Sequence, residues 1–135
     1  MKRLFLDTNI VMDMLQRREP FFLAAANIFA LSAKKEVELL VTPITYATAS
    51  YLIGKRDVAS VKPMLSRLRS LSHVACTDEI VVDQALSSEF CDVEDALQYF
   101  SASNQSVDYI ITRNKQDFRA SKIPVLTADE FFAVT

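Results

Sequence analysis

The strongest constraint on this chain is an alternation: five short apolar runs, each separated from the next by stretches with helical periodicity. Leu4 to Leu6, Val37 to Val41, His73 to Cys76, Asp108 to Thr112 and Ile123 to Leu126 read as strands. Thr8 to Gln16, Phe22 to Lys35, Thr42-Pro43 to about Ile53, Val58 to Leu71, Asp78 to Ser88 and Val93 to about Asn104 read as helices, and a last helix follows Thr127. Strands joined by helical crossovers predict an α/β fold, a parallel sheet with helices on both faces. No repeat, low-complexity tract or linker interrupts the pattern, so residues 1–135 are read as a single domain.

Local signals punctuate the alternation. Arg17-Arg18 and Glu19-Pro20 close the first helix, because the residue before proline disfavours the α region. Thr42 as N-cap and Pro43 at the first helical position open the third helix, and Gly54 is its expected C-cap. Thr127 with Glu130 forms a capping box. Val58, Val61, Leu65 and Leu68 form an inward stripe, with Arg56, Lys62, Arg67 and Arg69 mostly off it. Val93, Ala96, Leu97 and Phe100 are the expected inward residues of the late helix.

Composition removes several classes of function. Gly54 is the only glycine, which excludes Walker loops and dinucleotide-binding fingerprints. A net charge of −2, from 15 basic and 17 acidic residues, does not advertise a nucleic-acid binder. His73 is the only histidine, and without a second histidine or a plausible nucleophile partner no Ser/His/Asp or Cys/His arrangement can be assembled. Cys76 and Cys91 form no CxxC or zinc pattern and read as buried thiols in a reducing compartment. The three apolar residues before Asp7 are too few for a signal peptide, and Phe21 to Ala33 is too short to span a bilayer. The expected location is cytoplasmic, with no membrane partner.

The chemistry-bearing residues sit at strand-to-helix and loop-to-helix junctions. Asp7 follows the first strand; Asp92, Glu94 and Asp95 open the late helix; Asn114 and Asp117 follow the strand at Tyr109 to Thr112. Each has a plain structural reading. Asp92 and Asp95 suit an N-cap pair, and Asn114 suits the cap of a turn containing Asp117. Together, though, the junctions place oxygen ligands at what should be one edge of one sheet, where open α/β folds bind ligands. Clustered carboxylates repel one another unless a cation neutralises them, and Mg²⁺ or Mn²⁺ suits a hard oxygen set completed by water and phosphate.

Three motifs, in order along nearly the whole chain, carry a resemblance. Leu6-Asp7-Thr8-Asn9, Glu94-Asp95-Ala96-Leu97-Gln98 and Ile111-Thr112-Arg113-Asn114-Lys115-Gln116-Asp117-Phe118 resemble the PIN-domain nucleases, and among them the bacterial toxins of the VapC type. The resemblance implies a three-layer α/β/α sandwich, a divalent metal (Mg²⁺ or Mn²⁺) and endoribonuclease hydrolysis of RNA phosphodiester bonds. It makes Asp7, Asp95 and Asn114 the metal and catalytic residues. Thr8, Asn9 and Thr112 become supports, and Arg113 a phosphate contact. It also implies a homodimer and a small antitoxin partner.

One departure from the family pattern matters. In the segment Ile44-Thr45-Tyr46-Ala47-Thr48 the family places a glutamate where this chain has Thr48. The four-acid pattern falls to two carboxylates, Asp7 and Asp95. Asp13, Asp92, Glu94 and Asp117 are the candidate substitute acids, and Asp13 lies one helical turn beyond Asn9 on the same face. The alternative reading is a catalytically impaired PIN-fold module that binds RNA or protein. A phosphatase with Asp7 as nucleophile ranks below both, because Asn9 stands where its second aspartate belongs.

Overall fold

In the computed structural model, which describes residues 1–134, each of the five strands runs parallel to its sheet neighbours. The strands are β1 (Lys2–Leu6), β2 (Val37–Val41), β3 (His73–Val74), β4 (Tyr109–Ile111) and β5 (Val125–Leu126). The helices among the described residues are α1 (Thr8–Leu15), α2 (Phe22–Ala33), α3 (Pro43–Gly54), α4 (Val61–Leu71), α5 (Glu79–Leu86), α6 (Val93–Ser103) and α7 (Ala128–Val134). The order across the sheet is β3-β2-β1-β4-β5. Leu4 of β1 lies opposite Leu39, and Leu6 opposite Ile111, so β1 is covered on both edges.

The pleat of β1 divides the core. Leu4 and Leu6 point to one face, against Ile10 and Val11 of α1, Ile28 and Phe29 of α2, Leu68 of α4 and Phe131 of α7. Phe5 points to the other, against Leu40, Ile110, Phe118 and the α6 residues Tyr99 and Ala102. Both layers are apolar, and each large side chain fully buried there contributes about 1.5–3 kcal/mol of transfer free energy. The result is the expected three-layer α/β/α sandwich. No helix among the described residues is long and apolar enough to cross a membrane.

The sheet order reverses direction at β1, since β2 and β3 lie to one side and β4 and β5 to the other. Such a switch point opens a crevice beyond the carboxyl ends of the two diverging strands. Here those strands are β1, which ends at Asp7, and β4, which leads into Thr112-Arg113-Asn114.

Several local expectations change. Gly54 is the last residue of α3 and has no positive φ; the left-handed positions are Arg17, Lys35 and Ser106, all at helix-terminal turns. Thr42 occupies the N-cap of α3 but makes no capping hydrogen bond, because its hydroxyl is drawn into the protein interior. Val58 lies in a 3-10 turn, 78% exposed, so the stripe of α4 begins at Val61. The buried face of α6 is Ala96, Gln98, Tyr99, Ser101 and Ala102, whereas Val93 at its open end is 52% exposed. Cys76 and Cys91 are free but exposed, not buried. The capping box stands as expected: the Glu130 N–H donates to Thr127 Oγ1 at 3.1 Å and the Thr127 N–H to Glu130 Oε1 at 2.9 Å.

Candidate active site

Asp7 leaves the end of β1 in extended geometry and caps α1, its Oδ1 accepting the Thr8 N–H at 2.8 Å. Its Oδ2 accepts the Thr112 hydroxyl at 2.7 Å and the Asn9 side-chain amide at 3.2 Å. Asn9 Oδ1 accepts the Arg113 N–H at 3.4 Å, and Thr112 Oγ1 accepts the Asn114 N–H at 3.0 Å. The ends of β1 and β4 are thereby tied around one buried carboxylate. Burial pushes the Asp7 carboxyl above the ordinary aspartate value, opposed by the Thr112 and Thr8 hydrogen bonds. The charge of Asp117 adds to the rise and that of Arg113 counters it.

Asp95 stands in the first turn of α6, and its N–H donates to the cap Asp92 Oδ1 at 3.0 Å. That is one half of the expected capping pair. The Asp95 carboxyl is pushed up to about 7, first by burial, then by the charges of Asp92, Asp7, Asp117 and Glu94. Asp92, Asp95 and Asp117 also line one small cavity of about 130 Å³ together with Gln116 and Arg119. Asp7, Asp95 and Asp117 therefore share one acidic field. Asp117 enters it from the 3-10 turn Lys115–Phe118.

The other candidates are distributed differently. Asn114 precedes that turn without capping it through its side chain, and it lines a separate cavity of about 390 Å³ beside Arg113. Asp13 is fully buried on α1, and both its oxygens are engaged by Arg113, Nε at 2.7 Å and Nη2 at 3.1 Å. The same guanidinium lies 3.9 Å from the centroid of the Phe21 ring. Glu94 is exposed, and His73 is exposed at the start of β3.

The sequence reading missed a buried polar cluster directly beneath the site. Gln98 is 1% exposed; its Oε1 accepts the Thr42 hydroxyl at 2.6 Å, and its Nε2 donates to Thr8 Oγ1 at 2.9 Å and Thr45 Oγ1 at 3.3 Å. Thr8 and Thr45 hydroxyls meet at 2.8 Å. One amide thus joins α6 to α1, α3 and the end of β2, one helical turn after Asp95. The available signal was an amide on the buried face of α6, where only a paired polar group is tolerated. Thr48 lies one turn beyond Thr45 on α3 and is half-buried.

A divalent cation fits this donor set. Two carboxylates each raised above their ordinary value form no ion pair among the described residues, and a hard cation would favour both in their charged form. Among the described residues no group of three or more His, Cys, Asp or Glu is placed to hold a metal. The fit is therefore to an ion that takes one or two carboxylates and completes its shell with water and phosphate oxygen, as Mg²⁺ does.

Comparison with known proteins agrees with this architecture. Ribonuclease VapC1 of Aquifex aeolicus is 22% identical over 96% of this chain and 93% of its own length. Among solved structures, a chain of the VapBC2 complex of Rickettsia felis bound to a promoter DNA fragment superposes with a TM-score of 0.69 at 15% identity. The match covers 92% of this chain and 96% of that one. A chain of a toxin–antitoxin complex from Klebsiella pneumoniae gives 0.68 at 23% identity, over 93% and 97%. The model of the PIN domain matches residues 3–116, which hold Asp7, Asp95 and Asn114. By this match and this fold, the chain belongs to the PIN domain family.

Proposed function

We propose that this chain is a divalent-metal-dependent endoribonuclease, the toxin of a toxin–antitoxin pair. The observation that carries the reading is the convergence of Asp7 and Asp95 near the β1/β4 switch point, where the charge of Asp7 raises the Asp95 carboxyl and that of Asp117 raises both. Asp7, Asp95 and Asn114 would hold the cation, Mg²⁺ or Mn²⁺. When bound, that ion supplies Lewis-acid stabilisation of the phosphate and lowers the pKa of the attacking water.

The protein's own part is placement. Thr8, Asn9 and Thr112 fix both oxygens of Asp7 in one orientation, so that its free lone pairs face the cleft. Gln98 fixes α6, and with it Asp95, against Thr8. Asp117 is exposed and electrostatically coupled to both acids, and it serves as the acceptor for the proton of the attacking water. The likeness to VapC1 and to chains of toxin–antitoxin complexes supports a small antitoxin as partner. Ile80, Val82 and Leu86, all exposed on α5, support a homodimer.

The test is cleavage of an oligoribonucleotide by purified protein. Cleavage should require Mn²⁺ or Mg²⁺, stop with EDTA and vanish in Asp95→Asn. A variant as fast as the parent assigns the cleavage to a contaminant and removes this reading.

Two observations favour the impaired-module alternative: Thr48 brings no charge, and Asp13 is engaged by Arg113. Calorimetric titration with Mn²⁺ separates the two. Heat that disappears in Asp7→Asn supports the enzyme, and no heat at millimolar Mn²⁺ supports the module.

A further inference from the structure

The cavity beside the acids, about 390 Å³, is walled by Ile10, Asp13, Phe21, Arg113, Asn114 and Asp129, with small side chains of α2 and α7 completing it. Its volume lies in the range of small-molecule sites. The core leaves it open and the metal reading uses only Asn114 of its walls, yet one of those walls is a tightly held cation. Arg113 is held in a bidentate pair by an acid with 1% side-chain exposure, and its guanidinium lies against the Phe21 ring. Such an arrangement fixes a normally mobile side chain in one plane. The third guanidinium nitrogen, Nη1, makes no hydrogen bond among the described residues, and the side chain keeps 29% exposure.

Position gives the fixed arginine a purpose. Arg113 and Asn114 directly follow Thr112, which holds Asp7, so the cavity opens from the same β4 turn that builds the acid site. The walls offer a planar pair for stacking, a donor at the Asn114 amide nitrogen (its oxygen being left to the cation), and an acceptor at the exposed Asp129 carboxylate. Guanine matches that set best. Its N1–H and N2–H₂ donate to a carboxylate, while its O6 accepts from an amide N–H. Adenine, cytosine and uracil lack two adjacent donors on one edge.

We propose that this cavity is a nucleobase subsite that receives a guanine of the RNA next to the scissile phosphate. Phe21 and Arg113 form the stacking wall, and Asp129 reads the donor edge. The subsite rests on the endoribonuclease reading above and gives it a sequence preference. Asp13 is then a positioning residue, acting only through Arg113. Stacking of a base on an aromatic or guanidinium plane tolerates any base, so the preference comes from the hydrogen-bonding edges.

The test uses the full chain with Mn²⁺ and a set of oligoribonucleotides that differ at one position, carrying G, A, U, C or an abasic sugar. The parent should cleave beside G on the order of tenfold better than beside U, the difference lying in KM. Phe21→Leu should lower cleavage of every base toward the abasic level. Asp129→Asn should reduce the preference for G over A and leave stacking intact. Equal cleavage beside all bases and the abasic sugar, with both variants like the parent, overturns the subsite while leaving the nuclease standing. A parent that neither binds nor cleaves any of the set overturns both. Binding of guanosine monophosphate that does not compete with the RNA overturns the assignment to an RNA base.

Discussion

The pair between Asp13 and Arg113 predicts an asymmetric response to mutation. Asp13 has a side-chain exposure of 1% and Arg113 of 29%, so the two ends of one ion pair stand in different dielectric surroundings. Arg113→Met keeps an apolar stem over Phe21 but strips a buried carboxylate of both hydrogen bonds, at 2.7 and 3.1 Å. An uncompensated buried charge costs about 3–5 kcal/mol. Asp13→Asn leaves a guanidinium that water can reach and that still meets a side-chain oxygen, so the loss is that of charge-assisted bonding alone, about 1.5–3 kcal/mol. Asp13→Leu with Arg113→Met removes both charges and should recover most of the loss, because apolar replacement of a buried pair is close to neutral. Urea unfolding followed by circular dichroism at neutral pH reads all three. With a slope of about 2 kcal/mol per molar, Arg113→Met should move the midpoint down by about 2 M. Arg113→Met within 1 kcal/mol (~0.5 M urea) of the parent, or a double variant weaker than both singles, would refute the reasoning.

Three further outcomes follow from the site. Asp95 holds a proton in the folded protein up to about 7, whereas the unfolded chain releases it near the ordinary aspartate value of 3.8. Folding stability in EDTA therefore falls as pH rises through that window. Asp95→Asn should melt no higher than the parent at pH 4 and about 3 °C higher above pH 7, after allowance for solvent screening of a partly exposed carboxyl; a gain that shrinks with rising pH contradicts it. Gln98→Leu strands the Thr42 hydroxyl and takes the amide donor from the Thr8–Thr45 pair, which should lower stability by about 2 kcal/mol and metal-dependent cleavage at least tenfold, measured by unfolding and single-turnover rates. Thr48→Glu restores a family acid on α3, and Mn²⁺ titration should show tighter binding by on the order of tenfold, with a lower melting temperature in EDTA.

Much of this architecture is legible along the chain because its causes are local. The apolar runs of β1, β2 and β4, the proline after Thr42 and the box of Thr127 with Glu130 all act within a few residues. Helical crossovers between strands leave a parallel sheet as the arrangement that buries both faces. Two of the three acidic junctions likewise follow from strand ends and the third from the start of α6, and the sheet order brings Asp7 and the residues after β4 to one crevice. Misplaced boundaries, such as the inward reach of Val58 and Val93, arose where apolar periodicity continued past the end of the packed helix.

Tertiary structure alone decided how the polar side chains pair. Asp13 meets Arg113 across 100 residues of sequence, and Gln98 meets Thr8 across 90. No periodicity encodes such a choice. A buried carboxylate or amide takes whichever partner the folded layers bring within 3 Å or so, since leaving it unpaired costs more than any local preference supplies. The sequence by itself determined that Asp7 would stand at the carboxyl end of the first strand. The folded layers decided that Asp95 and Asp117 would share its field, and that Asp13, on the helix directly after it, would face an arginine instead.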